Sequence, residues 1–379
     1  MQKIRTVVCG TTFGLFYLEA LRRLNDKFEI VGILANGSER SKRCAANFNT
    51  TLYTDIRQVP KDIDLACVVI RTRALGGKGT EIAAHFLENG INVIQEQPIH
   101  PKDLEECYRI ALKNGVYFQT GDVYPHLDGV ETFIRSAHKL NEIHDRPLYM
   151  NLSFAPQVSY PLMDILMNSL PDIRSWEFSG NVKAGPFRVI TGTLNKIPVC
   201  MEIHNEVFPK DPDNNMHLLH SITYMYESGH LSLQDTFGPA IWNPRLDIPV
   251  ELYNYGDVKS EVPEYMYEKT GHILGGYHSR NFKQIITDIW PEAVKKDLLL
   301  VLKGISDKRL LNAKGQKEMI CSRQWNEMTK YLGYADIMDK KLSKATLTDI
   351  LEKSVQEQRR HERSEERRVG KECRSRWSP

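Results

Sequence analysis

Ile4-Arg-Thr-Val-Val-Cys-Gly-Thr-Thr-Phe-Gly-Leu-Phe-Tyr-Leu-Glu-Ala-Leu-Arg-Arg-Leu24 is the stretch that decides the fold. It begins with a short run rich in β-branched residues, Ile4–Cys9, and breaks at Gly10-Thr-Thr-Phe-Gly14. It then resumes with apolar residues at helical spacing: Leu15, Leu18, Leu21 and Leu24, with Phe16 and Tyr17 among them. The period changes from 2 to 3.6 across a glycine turn, which predicts a strand feeding directly into a helix.

The same alternation continues outward. Phe28–Leu34 reads as a second strand and Ser41–Phe48 as a short helix. Asp64–Ile70 is a third strand, apolar beyond its first residue, as a sheet covered on both faces requires. Thr80–Asn89 is a helix closed by Gly90, Ile91–Gln95 a fourth strand, Lys102–Lys113 a helix closed by Asn114-Gly115, and Val116–Thr120 a fifth strand. Strands alternating with helices predict a parallel, doubly wound α/β sheet. After Gly121-Asp122 the pattern changes. Longer β-type stretches at Leu148–Ala155, Ser175–Asn181, Phe187–Thr193, Leu231–Thr236 and Val250–Tyr255 interleave with helical ones at Asp128–Leu140, Asn214–Tyr226 and Trp290–Gly304. That predicts an α+β domain with a mostly antiparallel sheet, ending in a charged helix over Lys340–Arg360. The expected division is residues 1–122 for dinucleotide binding, 123–362 for substrate and oligomerisation, and 363–379 as a tail.

Composition narrows the class. The chain has 379 residues, enough for two domains, with 41% hydrophobic and 26% charged residues, an ordinary globular balance. No apolar run nears the ~20 residues that span a bilayer, and Met1-Gln-Lys-Ile-Arg5 runs into the first strand with no signal-peptide pattern. The seven cysteines include no C-x-x-C pair, so free thiols in a reducing compartment, the cytoplasm, are expected. Arg363–Pro379 is charged, lacks periodicity, and resembles the translation of a sequencing-adapter oligonucleotide, so it is expected to be non-native. It carries a net charge of +3, so the formal charge of +2 becomes −1 without it. A near-neutral body offers no electrostatic footprint for nucleic acid or for a membrane surface.

A glycine turn between a first strand and a first helix is where a dinucleotide pyrophosphate sits. The backbone approaches closely there, and the helix N-terminus supplies free N–H groups and positive dipole. Gly10, Thr11, Thr12, Phe13 and Gly14 are therefore the expected phosphate cradle of a Rossmann domain, although Thr12 stands at the second glycine of G-x-G-x-x-G and Gly14 lies one place before the third. The second strand ends Leu34-Ala-Asn36, without the acid that would bind the ribose hydroxyls of NAD. Gly37-Ser38-Glu39-Arg40-Ser41-Lys42 follows, and Ser38 and Arg40 supply the hydroxyl and guanidinium that a 2′-phosphate needs. NADP(H) is the expected cofactor.

The fourth strand runs into Gln95-Glu96-Gln97-Pro98-Ile99-His100-Pro101. In the glucose–fructose oxidoreductase and inositol dehydrogenase superfamily this place holds Glu-Lys-Pro. Here Glu96 and Pro98 stay, Gln97 replaces the lysine, and His100 is added. With Gly10–Gly14, the loop Arg71-Thr-Arg-Ala-Leu-Gly-Gly-Lys-Gly-Thr80, and Gly121-Asp-Val-Tyr-Pro-His126, the sequence resembles the thiazolinyl imine reductases of siderophore assembly. The resemblance continues through Asp211–His220 and Asp235–Pro239 and spans most of residues 1–335. It implies NADPH-dependent reduction of a thiazoline C=N to a thiazolidine, on a substrate presented by the peptidyl carrier domain of a nonribosomal peptide synthetase. It also implies a homodimer, and adds Thr72, Glu96 and Gln97 to the residues around the cofactor.

Reducing C=N takes a hydride to carbon and a proton to nitrogen. The proton needs a side chain near the C-terminal strand ends. His100, just past the fourth strand, and Tyr124, just past the fifth, are the candidate catalytic residues, with His126 a third. His204, His217 and His220 invite a metal reading, with His217 and His220 on one helical face. No Cys, Asp or Glu completes an evident set, so no metal is expected. The alternatives are a sugar or cyclitol dehydrogenase of the same superfamily, against which the missing lysine argues, and a non-catalytic NADP-binding regulator.

Overall fold

The first sheet is built from β1 (Ile4–Cys9), β2 (Phe28–Leu34), β3 (Thr51–Tyr53), β4 (Leu65–Val68), β5 (Asn92–Glu96) and β6 (Phe118–Gly121), in the order β3-β2-β1-β4-β5-β6. The structure is a computed structural model and describes residues 2–250, 262–307, 309–339 and 347–357. All five strand pairings are parallel. Val7, Val8, Cys9, the whole of Leu65–Val68, Val93 and Ile94 are fully buried, which is why these strands read as continuous apolar runs. Helices α1 (Gly14–Arg23), α2 (Glu39–Asn47), α3 (Gly79–Glu88) and α4 (Pro101–Asn114) cover the two faces. Strand order reverses between β1 and β4, and the crevice outside the carboxyl ends there is where such sheets bind ligands.

The second sheet has eight strands, taking in β7 (Tyr149–Phe154), β8 (Trp176–Ala184), β9 (Phe187–Leu194) and β10 (Ile197–His204), then β12 (His220–Tyr226), β13 (Gly229–Leu233), β14 (Ala240–Pro244) and β15 (His272–Ile273). A two-residue strand, β11 (Glu206–Val207), lies outside it. Only β7–β10 pairs parallel; the other pairings are antiparallel. Along β7 the residues alternate, with Met150, Leu152 and Phe154 inside and Tyr149, Asn151 and Ser153 partly exposed. The inner face packs on α5 (Asp128–His144) and α6 (Ser159–Ser169), where Phe133 meets Tyr224 edge-on at 5.0 Å. Burying aromatic side chains of this size contributes about 2–3 kcal/mol each.

Two C-terminal helices, α7 (Trp290–Ser306) and α8 (Arg309–Leu332), return to the first sheet. Trp290 packs on Phe13 and Phe16 of the α1 end, with ring centroids at 5.7 and 4.9 Å. Glu318 of α8 accepts hydrogen bonds from Tyr108 Oη at 2.6 Å and from the main-chain N–H of Thr120. A smaller unit comprises residues 208–215 and 337–379. Within it, residues 348–357 are helical and exposed. Among the described residues no helix is long and apolar enough to cross a membrane.

Several sequence expectations change. The helix expected over Asn214–Tyr226 is instead strand β12 in its second half. His220-Ser-Ile-Thr-Tyr-Met-Tyr226 alternates buried and exposed, and its β-branched and aromatic residues suit a pleated surface. His217 and His220 therefore do not share a helical face. β3, β10, β11, β14, β15, α6 and α8 were not expected. Past Val250, the expected strand to Tyr255 lies outside the described residues, as do both ends of the helix expected over Lys340–Arg360 and the whole 363–379 tail.

Candidate active site

Gly10 opens the turn after β1 with φ +97°, and a Cβ there would lie 2.3 Å from the Val69 carbonyl oxygen beyond β4. Only glycine lets the two strand ends approach this closely. Thr11, Thr12 and Phe13 complete the turn, and α1 begins at Gly14 with no side-chain cap. The first N–H groups of α1 have no intrahelical acceptor, so the turn presents them with the positive end of the helix dipole. Phe13 anchors the turn from behind, against Phe16 and Trp290.

Ser38 caps α2, its Oγ accepting from Ser41 N at 3.3 Å, and Asn36 Oδ1 accepts from Ser38 N at 3.3 Å. Arg40 reaches back from the first turn of α2, its Nη2 donating to Thr12 Oγ1 at 2.7 Å. The guanidinium thus joins the phosphate turn to the start of α2, where the ribose of a bound dinucleotide would lie. No acid stands at the end of β2, and Glu39 is held by Lys42 at 2.8 Å. The donor set fits a dinucleotide carrying an extra phosphate.

β5 ends at Glu96, level with Gly121 of β6. A Cβ on Gly121 would lie 2.3 Å from Tyr17 Oη, so glycine leaves room for the Tyr17 hydroxyl to donate to Glu96 Oε2 at 2.8 Å. Burial pushes the Glu96 carboxyl up to about 8. The Tyr17 bond opposes that shift and the Asp297 charge adds to it. The Gln97–Pro98 peptide is cis. Thr72, itself buried, donates from Oγ1 to the Pro98 carbonyl at 2.5 Å and so ties the β4 end to this loop. Gln97 Oε1 is buried and has no hydrogen-bond partner among the described residues.

His100 is the N-cap of α4, and its Nδ1 accepts from Lys102 N at 3.3 Å. That bond needs a bare Nδ1, so the neutral ring carries its proton on Nε2. Tyr124 opens a 3₁₀ turn after β6, and its N–H donates to Asp122 Oδ1 at 3.0 Å. Its ring stands edge-on to His220, with centroids 5.4 Å apart and planes at 86°. His220 is a fixed platform. Its Nε2 donates to the Val158 carbonyl at 2.8 Å, its Nδ1 pairs with Thr236 at 3.0 Å, and burial lowers its pKa to about 4. His126 turns toward α7, with Nε2 3.8 Å from Asp297 Oδ1.

Of the three histidines, His220 stands apart from the other two. Opposite residues on antiparallel strands share a face, so His204, opposite Phe187 in the β9–β10 ladder, lies on the opposite face of the second sheet from Ile203 and Phe154. It meets His217 edge-on at 4.7 Å. Among the described residues no three His, Cys, Asp or Glu side chains converge as a metal site. What the sequence did not reveal is the polar cluster around Asp122: the buried Asp122, Asp164, Asp297 and Glu318, with the partly exposed Lys314. Its members come from elements up to 198 residues apart, as in the bond from Thr120 N to Glu318, and no local pattern marks them.

Residues 4–122 match the family described as oxidoreductase family, NAD-binding Rossmann fold. Residues 145–243 match the C-terminal domain described as thiazolinyl imine reductase Irp3-like. The sequence matches no curated protein. Among solved structures, KijD10, a 3-ketoreductase from Actinomadura kijaniata in complex with NADP and TDP-benzene, is 14% identical with a TM-score of 0.61, over 89% of this chain and 100% of that one. UDP-N-acetylglucosamine 3-dehydrogenase GnnA from Acidithiobacillus ferrooxidans is 12% identical with a TM-score of 0.58, over 88% and 99%. GenD2 from gentamicin A biosynthesis, in complex with NAD, is 11% identical with a TM-score of 0.59, over 88% and 94%. At such identities the likeness is one of fold.

Proposed function

We propose that the chain reduces a thiazoline C=N to a thiazolidine with NADPH: residues 4–122 match the oxidoreductase family with an NAD-binding Rossmann fold, and residues 145–243 match a C-terminal domain of the thiazolinyl imine reductase type. The observation that carries this reading is the match over residues 145–243. Gln97 supports it: oxidising a sugar hydroxyl calls for a base at this place, and an amide cannot take a proton. Gly10–Gly14 hold the pyrophosphate, Ser38 and Arg40 the 2′-phosphate, and Thr72, Glu96 and Gln97 border the nicotinamide end. When bound, the cofactor supplies the hydride that goes to the imine carbon.

The chain's own residues supply the proton to nitrogen. Tyr124 gives it from Oη. His100 offers an N–H hydrogen bond from Nε2 while its Nδ1 caps α4; surrendering a full proton would require an imidazolium and the loss of that cap. His100 therefore orients and polarises, and Tyr124 donates. A peptidyl carrier domain of a nonribosomal peptide synthetase presents the substrate, and the working form is a homodimer in the cytoplasm.

NADPH oxidation followed with a thiazoline, and NADP⁺ reduction followed with a nucleotide sugar and with a cyclitol, test the reading. Steady turnover with the thiazoline alone is expected. Turnover with a sugar or cyclitol instead overturns it in favour of the dehydrogenase reading, and tight NADPH binding with no turnover favours a regulator.

A further inference from the structure

Asp122, the residue after β6, has one carboxylate oxygen that no group serves. Its Oδ1 accepts the Tyr124 N–H at 3.0 Å, but Oδ2 is buried and has no partner among the described residues. The side chain borders a cavity of about 10 Å³, room for one water, lined also by Thr120, Tyr160, Asp164, Lys314 and Glu318. An ionised oxygen left bare in such a place costs several kcal/mol.

Among the described residues the surroundings have no cation to spare for it. Asp164, on α6, holds Lys317 at 3.0 Å and accepts from Asn168 Nδ2 at 3.1 Å. Glu318, on α8, holds Lys314 at 3.4 Å and accepts from Tyr108 and Thr120. Asp297, on α7, accepts from Gln119 Nε2 at 2.6 Å and from the main-chain N–H of Asp122 at 3.2 Å, with the His126 ring 3.8 Å away. Glu96, on β5, has Tyr17 as its one side-chain donor among the described residues. Tyr160 and Cys321 complete the surroundings without adding positive charge. Among the described residues these five carboxyls share two ammonium groups, Lys314 and Lys317, and both are bound to acids other than Asp122.

We propose that Asp122 is held as the neutral acid, its Oδ2–H donating to a water in the cavity, and that it is a positioning residue whose Oδ1 fixes the main chain of Tyr124. Burial, and next the Asp164 charge, push the Asp122 carboxyl well above the ordinary range, in keeping with this geometry. Its neutrality lets Asp122 sit near the Asp164 and Asp297 carboxylates without repulsion.

The chemical half is independent of the reaction. In infrared difference spectra of the cofactor-free protein at neutral pH, the carboxylic C=O band should lose a component in D122N, and E96Q should leave that component in place. No loss in D122N overturns the proposal. The positioning half rests on the reading of Tyr124 as proton donor. With NADPH and a thiazoline, D122A should lower kcat by about 10²-fold, the scale of a misplaced catalytic group, with NADPH affinity kept. D122N, which retains the acceptor oxygen and a donor toward the cavity, should recover most of that loss. A D122N as slow as D122A would mean that the ionised carboxylate is needed, and overturns it. Wild-type protein inert toward thiazolines would sink the proposed reaction and with it the positioning half, while the infrared result still decides the state of Asp122.

Discussion

Replacing Arg40 with alanine separates the two cofactors. In the free protein the guanidinium makes an exposed bond to Thr12 Oγ1 at 2.7 Å, and among the described residues no acid holds it. Removing it should leave the unfolding midpoint nearly unchanged, because exposed polar contacts contribute little. A bound 2′-phosphate would meet this group at the lip between the turn and α2. A charge-assisted bond there contributes about 1.5–3 kcal/mol. At 1.4 kcal/mol per tenfold, NADPH should bind Arg40→Ala roughly 10- to 150-fold more weakly. NADH lacks the phosphate and should lose almost nothing. Titrating wild type and variant with both dinucleotides, by fluorescence at fixed ionic strength, reads this directly. Equal wild-type affinities for NADPH and NADH would refute the assignment of Arg40 and of the missing acid after β2. So would an equal loss for both cofactors, which would place the guanidinium on the pyrophosphate.

Three further outcomes follow from the site. Gly10→Ala forces a side chain onto the Val69 carbonyl at φ +97° and should cost about 2–4 kcal/mol of stability in urea unfolding, with loss of cofactor binding; a wild-type midpoint would contradict it. Tyr124→Phe should lower kcat by about 10²–10⁴-fold with unchanged NADPH affinity, whereas His100→Asn, which can still cap α4, should fall less; the reverse order would exchange their roles. The Glu96 carboxyl is raised in the folded protein from 4.5 to about 8, so its contribution is fully present below pH 4.5 and is lost as pH rises toward 8. A fully buried group would contribute about 5 kcal/mol for that shift, and partial exposure cuts this to roughly 1–2. Glu96→Gln should therefore gain on wild type between pH 5 and 8 in urea midpoint, and a constant difference would count against the raised carboxyl.

Legibility in the sequence followed the range of the interaction. The first sheet was readable because each strand–helix unit announces itself within about 25 residues: β1 by its β-branched run, α1 by Leu18 and Leu21, and the turn between them by Gly10. β3 was missed because Thr51–Tyr53 is three residues long and only half-buried, too short for any period. β12 was misread because the loop before it carries Asn214, Asn215 and Met216, which pad an apolar pattern to helical length, and the alternation that marks a strand starts only at His220. β10 hid behind Pro198, a residue tolerated here at the second position of the strand.

The site divides along the same line. Turn, cap and loop residues were visible because their chemistry is local: Gly10 needs its φ, Ser38 caps the helix it precedes, and His100 precedes Pro101 at a helix start. What the sequence could not supply is the environment that decides their roles. His100 was singled out as a candidate proton donor, yet its position as a cap binds Nδ1 to the α4 backbone, a constraint that follows from where α4 begins. Tyr124 was singled out by its place after a strand, but its orientation is set by His220, on a strand read as a helix, and by Asp122, whose burial comes from α6, α7 and α8. α7 and α8 are contributed by residues 290–332, so the setting of the tyrosine at 124 depends on chain some 170–200 positions later. Substitutions in those helices that spare the cofactor turn, such as Asp297→Asn or Lys317→Met, should therefore move the pH profile of turnover more than the affinity for NADPH.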